Sequence, residues 1–261
     1  MMKQLLFGFF LLMGVNVYSQ QVFQLAPPLL KYQTVFFEGS TSVEIMFNQP
    51  GAEVRYTLNG KVPTVNDKLY EKPVRITKQS TLKAKAFGKN FLPSETVQAL
   101  FIKDGKKIAE VNFSKPNEQY SSSKTNILHD NSGGLLNIHA GTWLGYNSDT
   151  VTITIRLQQK EMVSSVLVDM LQDQASWIFL PEQTLLYYYN EKQQSFEPAA
   201  KELLTFEKQS TKTVVSKIVH LQQQVQTDQL KLVLLPLKII PAWHPAKGNH
   251  AWLFIDEIKV Y

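Results

Sequence analysis

The chain has 261 residues, 44% of them hydrophobic and 11% aromatic, which is enough apolar material for two cores of ordinary size and excludes an intrinsically disordered protein. Its net charge is +5, but the lysines are scattered and no basic block alternates with aromatics, so charge argues for solubility and no nucleic-acid partner is expected. With no cysteine, disulfides, thiolate metal sites and cysteine nucleophiles are all excluded.

The first predicted element is a leader. Lys3 precedes an apolar stretch over residues 5–15 that is too short to span a bilayer, and the small Ser19 stands before Gln20 and Gln21. We read residues 1–19 as a cleaved signal peptide and expect a secreted or periplasmic protein without a membrane span. The residue at the cleavage point is not cysteine, so no lipid anchor is expected.

From residue 20 to residue 104 the pattern is that of short antiparallel strands. Val43, Ile45 and Phe47 alternate with Glu44 and Met46; Pro50 and Gly51 then mark a turn, and Val54, Tyr56 and Leu58 alternate again. Asn59 and Gly60 both tolerate positive φ, a strong hairpin signal. Over residues 82–87 two lysines alternate with apolar side chains. No stretch carries a helical period.

The motifs Tyr56-Thr-Leu-Asn-Gly60, Pro63-Thr64, Leu69-Tyr70, Pro73 and Thr81-Leu-Lys-Ala-Lys-Ala-Phe87 resemble the fibronectin type III-associated, or chitobiase/β-hexosaminidase C-terminal, domain of secreted bacterial glycosidases. Asn59 stands where that pattern carries Asp. The resemblance implies a small sandwich acting as spacer and packing surface, and no site is assigned to it. Asp104, Gly105, Lys106 and Lys107 interrupt the alternation and read as a hinge.

Residues 105–261 read as a second all-β unit. Leu128-His-Asp-Asn-Ser-Gly-Gly134 sets a carboxylate among turn-forming residues, a pattern suited to oxygen ligation of a cation. Strands are expected over 151–157, 163–170, 185–189 and 230–235. Tyr188 should face away from Tyr187 and Tyr189, so the tyrosine run reads as packing. The chain closes on an apolar run from Ala251 to Val260 that Glu257 interrupts. A carboxylate there needs a partner.

Asp130, Trp143-Leu-Gly-Tyr146, Thr152-Ile-Thr-Ile-Arg-Leu157, the tyrosine hairpin and Asp256-Glu-Ile-Lys-Val260 resemble, in that order, a discoidin (coagulation factor 5/8 type C) domain. Leu171-Gln-Asp-Gln-Ala-Ser-Trp-Ile-Phe-Leu-Pro181 and the run from Pro241 to Ile258 narrow the likeness to the C-terminal discoidin-like region of Bacteroidetes family 20 β-N-acetylhexosaminidases. The fold class expected is therefore all-β: a fibronectin-like sandwich, then a discoidin-like sandwich or jelly roll. The catalytic barrel of those enzymes, with its Asp-Glu pair, has no room in this chain, so no enzymatic activity is expected.

The resemblance also implies a structural calcium ion between Asp130 and Glu257. A pair of hydrogen-bonded or salt-bridged carboxylates is an equal alternative. A sugar site needs an aromatic face and planar polar groups on one rim. Trp177 with Asp173 and Gln174, and Trp243 with His244, are the candidates for it. Trp143 and Trp252, in apolar surroundings, are assigned to the core. His244 and His250 lack a third ligand of suitable spacing for zinc. The function expected is binding of glycans that contain N-acetylhexosamine, with packing against a glycosidase partner as the alternative.

Overall fold

The computed structural model describes residues 22–208 and 211–261; the expected leader lies outside the described residues. No helix among them is long and apolar enough to cross a membrane. The structure is all-β, and its strands fall into a smaller and a larger sandwich.

The smaller sandwich contains β1 (Leu29–Lys31), β2 (Phe36–Phe37), β3 (Thr41–Met46), β4 (Ala52–Thr57), β5 (Lys68–Leu69), β6 (Val74–Ile76), β7 (Ser80–Gly88) and β8 (Val97–Lys103). A three-stranded sheet, β1-β3-β6, lies over a five-stranded one, β2-β8-β7-β4-β5. The alternation read over 43–47 and 82–87 is the reason: Val43, Ile45, Leu82, Ala84 and Ala86 all face one core with Val54, Ile76 and Phe101. Gly60 adopts the expected positive φ but Asn59 does not, and β4 is joined to its antiparallel neighbour β5 by residues 58–67, not by a two-residue hairpin turn.

The larger sandwich is one sheet folded over on itself. It comprises β9 (Ile108–Phe113), β10 (Leu144–Tyr146), β11 (Val151–Gln172), β12 (Gln183–Asn190), β13 (Ser195–Leu203), β14 (Thr213–Leu235) and β15 (Leu253–Val260), in the order β10-β15-β11-β14-β12-β13 with β9 also on β11. The segments expected as separate strands at 151–157 and 163–170 are one strand, with register shifts between Arg156 and Glu161 and between Val163 and Ser165. Those irregularities bend β11 and its long partner β14, so each contributes to both layers. Ile153 and Ile155 from one arm of β11 thereby join Val166, Val168 and Met170 from the other in a single core.

The segment expected as a hinge is clamped. Lys106 N donates to Val260 O at 2.7 Å, Tyr261 Oη donates to Lys103 O at 2.9 Å, and Asp104 pairs with Lys259 at 3.1 Å. Gly105 is required there, because a Cβ would lie 2.0 Å from the Val260 carbonyl oxygen. Beside this contact Phe36 and Ile102 of the smaller sandwich pack on Leu167 of the larger. The turn chemistry was legible, but the tertiary contact that immobilises it has no local signal.

Candidate glycan-binding rim

Three segments meet at one end of the larger sandwich: residues 173–182 between β11 and β12, 204–208 after β13, and 236–252 between β14 and β15. Glu182 N donates to Leu235 O and Leu204 N to Glu182 O, at 2.8 and 2.9 Å, which ties the loop bases together.

Residues 173–178 form a tight corner. Asp173 and Ile178 exchange backbone hydrogen bonds, and the Asp173 carboxylate accepts from Ser176 Oγ at 2.8 Å and pairs with Lys212 at 3.0 Å. To close the corner Trp177 takes a left-handed backbone, φ 63°. For a residue with a Cβ that conformation costs about 1–2 kcal/mol. Its indole nevertheless projects outward, 42% exposed.

The 236–252 loop closes on itself, with Ile240 N donating to Asn249 O and Gly248 N to Ile240 O. Beneath it Leu237, Ile240, Ala246 and Ala251 pack on Phe179. His244 is only 8% exposed, whereas its neighbour Trp243 is 39% exposed and rests against Phe179 at 6.4 Å between ring centroids. Ala246 N donates to His244 Nδ1 at 3.0 Å, so Nδ1 carries no proton. Nε2 therefore bears the hydrogen and donates to Gln174 O at 2.8 Å.

The five sequence-predicted residues thus reach one rim but divide in role. Asp173, Gln174 and His244 are buried and hold the loops: Gln174 Nε2 donates to Glu207 O at 2.9 Å, His244 joins the two tryptophan loops, and Asp173 turns the corner. Trp177 and Trp243 supply the exposed rings. A depression of about 170 Å³ opens beside Gln174, lined also by Phe179, Phe206 and Glu207. Phe206 and Glu207 were not read as site residues, because their loop carries no motif and only the sheet's folding brings it to this end. Trp143 is buried as expected, its Nε1 donating to Leu135 O at 2.6 Å; Trp252 is half-buried.

Asp130 and Glu257 lie on another part of the molecule. Glu257 is wholly buried and Asp130 half-buried, and each has its own lysine: Glu257 Oε1 meets Lys259 Nζ at 2.9 Å, and Asp130 Oδ2 meets Lys124 Nζ at 3.3 Å. Their other oxygens accept backbone hydrogens, Glu257 Oε2 from Asn131 N and Asp130 Oδ1 from Ser132 N, both at 2.9 Å. Burial pushes the Glu257 carboxyl up to about 7, with the Lys259 charge working against that rise. Among the described residues no group of three or more His, Cys, Asp or Glu side chains could hold a metal ion.

Comparison with known proteins bears on both sandwiches. Residues 33–99 match the family model of the chitobiase/beta-hexosaminidase C-terminal domain. The curated proteins gave no match. Among solved structures, the family 32 carbohydrate-binding module of Streptococcus pneumoniae EndoD is 12% identical and aligns with 60% of this chain and 96% of its own, at a TM-score of 0.37. The family 32 module of Clostridium perfringens NanJ, in complex with galactose, is 14% identical over 57% of this chain and 90% of its own, at a TM-score of 0.36. A Ruminococcus gnavus GH29 fucosidase is 12% identical over 58% of this chain, which spans 24% of the fucosidase, at a TM-score of 0.35. Likenesses this loose assign no ligand to the rim.

Proposed function

We propose that this chain is a secreted, non-catalytic accessory protein that binds glycans containing N-acetylhexosamine at the rim of its larger sandwich. One observation carries the reading: two indole rings, 42% and 39% exposed, project from adjacent loops that a buried histidine fastens together. Exposed tryptophans on an immobilised backbone suit the apolar face of a pyranose, and the rim backbone and polar side chains suit its hydroxyls. The left-handed Trp177 supports this, since a backbone cost of that kind is retained where an exposed ring has a use. The chitobiase/hexosaminidase-type match over 33–99 supports a setting among enzymes that cut amino-sugar polymers. The leader read at residues 1–19 supports secretion.

A single shallow sugar site gives dissociation constants of roughly millimolar to micromolar. Calorimetric titration with chitin oligosaccharides is expected to fall in that range, and Trp177→Ala and Trp243→Ala are each expected to weaken binding by about tenfold. If no amino-sugar glycan is retained, or if both variants bind as the parent does, this function is excluded.

A further inference from the structure

We infer that the cation of the Asp130–Glu257 region is the protein's own Lys259 ammonium, so that this sandwich is closed without calcium. An ammonium has three N–H donors. At Lys259 all three have acceptors: Glu257 Oε1 at 2.9 Å, Asp104 Oδ1 at 3.1 Å, and Asn131 Oδ1. The Phe36 ring covers the same ammonium at 5.2 Å from its centroid, and the lysine side chain is only 3% exposed. Calcium takes six to eight oxygens. Here Asp104, Asn131 and Glu257 already face a positive charge, Glu257 Oε2 faces the Asn131 N–H, and Asp130 is turned toward Lys124 and Ser132 N. The donor set therefore fits a lysine and does not fit a divalent ion.

The three acceptors come from three distant segments: the 104–107 connection, the loop after Asp130, and the last strand. A calcium held by a loop and a strand would join those two segments. The lysine also takes hold of Asp104, beside which Lys106 N bonds Val260 O and Tyr261 Oη bonds Lys103 O. It thereby couples closure of the larger sandwich to immobilisation of the connection. This inference does not rest on the glycan reading.

Thermal unfolding of the whole chain in ~5 mM EDTA and in ~5 mM calcium chloride tests it. The two midpoints are expected to agree, whereas a calcium site of sub-millimolar affinity would separate them by several degrees. Lys259→Ala strands buried carboxylates and is expected to lower the midpoint by about 10 °C or more. The same variant is expected to become susceptible to trypsin after Lys106 and Lys107, while the parent resists. Should Lys259→Ala fail to fold, Lys259→Arg supplies the second comparison, retaining the charge and the protection. A parent midpoint that rises by about 5 °C or more in calcium overturns the inference, as does a Lys259→Ala protein as stable and as trypsin-resistant as the parent.

Discussion

His244 Nε2 donates to the Gln174 carbonyl at 2.8 Å, a side-chain bond that joins the loops carrying Trp243 and Trp177 beside the backbone bonds of Trp252 N to Trp177 O and Phe179 N to Trp252 O. Seventy residues separate donor and acceptor, so the relative placing of the two indoles depends on a contact that neither loop makes alone. Both groups are buried, and removing the imidazole leaves the carbonyl without that donor and Ala246 N without its acceptor. His244→Ala is therefore expected to cost about 1–3 kcal/mol of folding stability and to weaken glycan binding although His244 is too buried to offer its ring to a sugar. Calorimetry with chitin oligosaccharides, beside a denaturant melt, checks this. Reduced stability with undiminished affinity would show that the backbone bonds between Trp252 and the Trp177 loop place the indoles without His244.

Trp177 separates stability from binding more cleanly. Its left-handed φ of 63° suits glycine, and the residue, 42% exposed, belongs to no core cluster among the described residues although more than half of its surface is covered. Trp177→Gly relieves a backbone cost of about 1–2 kcal/mol, offset in part by the greater entropy of the unfolded glycine chain. Lost burial of the ring offsets the rest, so the expected outcome is a melting temperature within a few degrees of the parent's together with a loss of glycan affinity of about tenfold. A marked fall in stability would assign the ring to packing and remove it from the site.

How much of this was legible follows the range over which each feature is determined. Alternation is local, and it located the strands around Val43, Val54 and Leu82 and the first arm of β11, because a period of two is set by neighbouring residues alone. The motif around Trp177 placed an exposed ring at the rim. The continuity of β11 from Val151 to Gln172 was missed, because the polar residues between Leu157 and Val163 look like a turn and lie instead in a bulged stretch of strand. His244 and Gln174 were read as sugar ligands because sequence shows polarity without burial, and the bond between them exists only once the sheet has folded over. Lys259 lies outside the reading altogether. A lysine in an apolar terminal run gives no sign that acceptors 155 and 128 residues away, Asp104 and Asn131, will saturate it.

Asp256 sets the pH dependence of the fold. It is 1% exposed, its Oδ2 has no hydrogen-bond partner, and Gly134 N donates to its carboxyl. Burial first, and then the nearby charges of Asp169, Glu257 and Asp130, push it up to about 9 from 3.8. In the unfolded chain this carboxyl ionises near pH 4, whereas in the folded chain it keeps its proton to about pH 9. The unfolded state thus binds fewer protons across that window, and the stability contributed by the neutral carboxyl is complete below pH 4 and lost as pH rises through 9, by up to about 1.4 kcal/mol for each pH unit. Asp169, held near 6 by burial against the Ser216 hydroxyl, and Glu257, near 7, contribute slopes of the same sign at lower pH. Asp256→Asn keeps an acceptor for Gly134 N and removes the titration. Parent and variant are therefore expected to diverge throughout about pH 4 to 9, the parent losing up to about 1.4 kcal/mol more for each unit, and above about pH 7, where Asp169 and Glu257 have already ionised, only the parent goes on losing stability. Urea melts at half-unit pH intervals read this directly, and parallel curves for the two proteins from 7 to 9 would mean that Asp256 is already ionised in the folded chain.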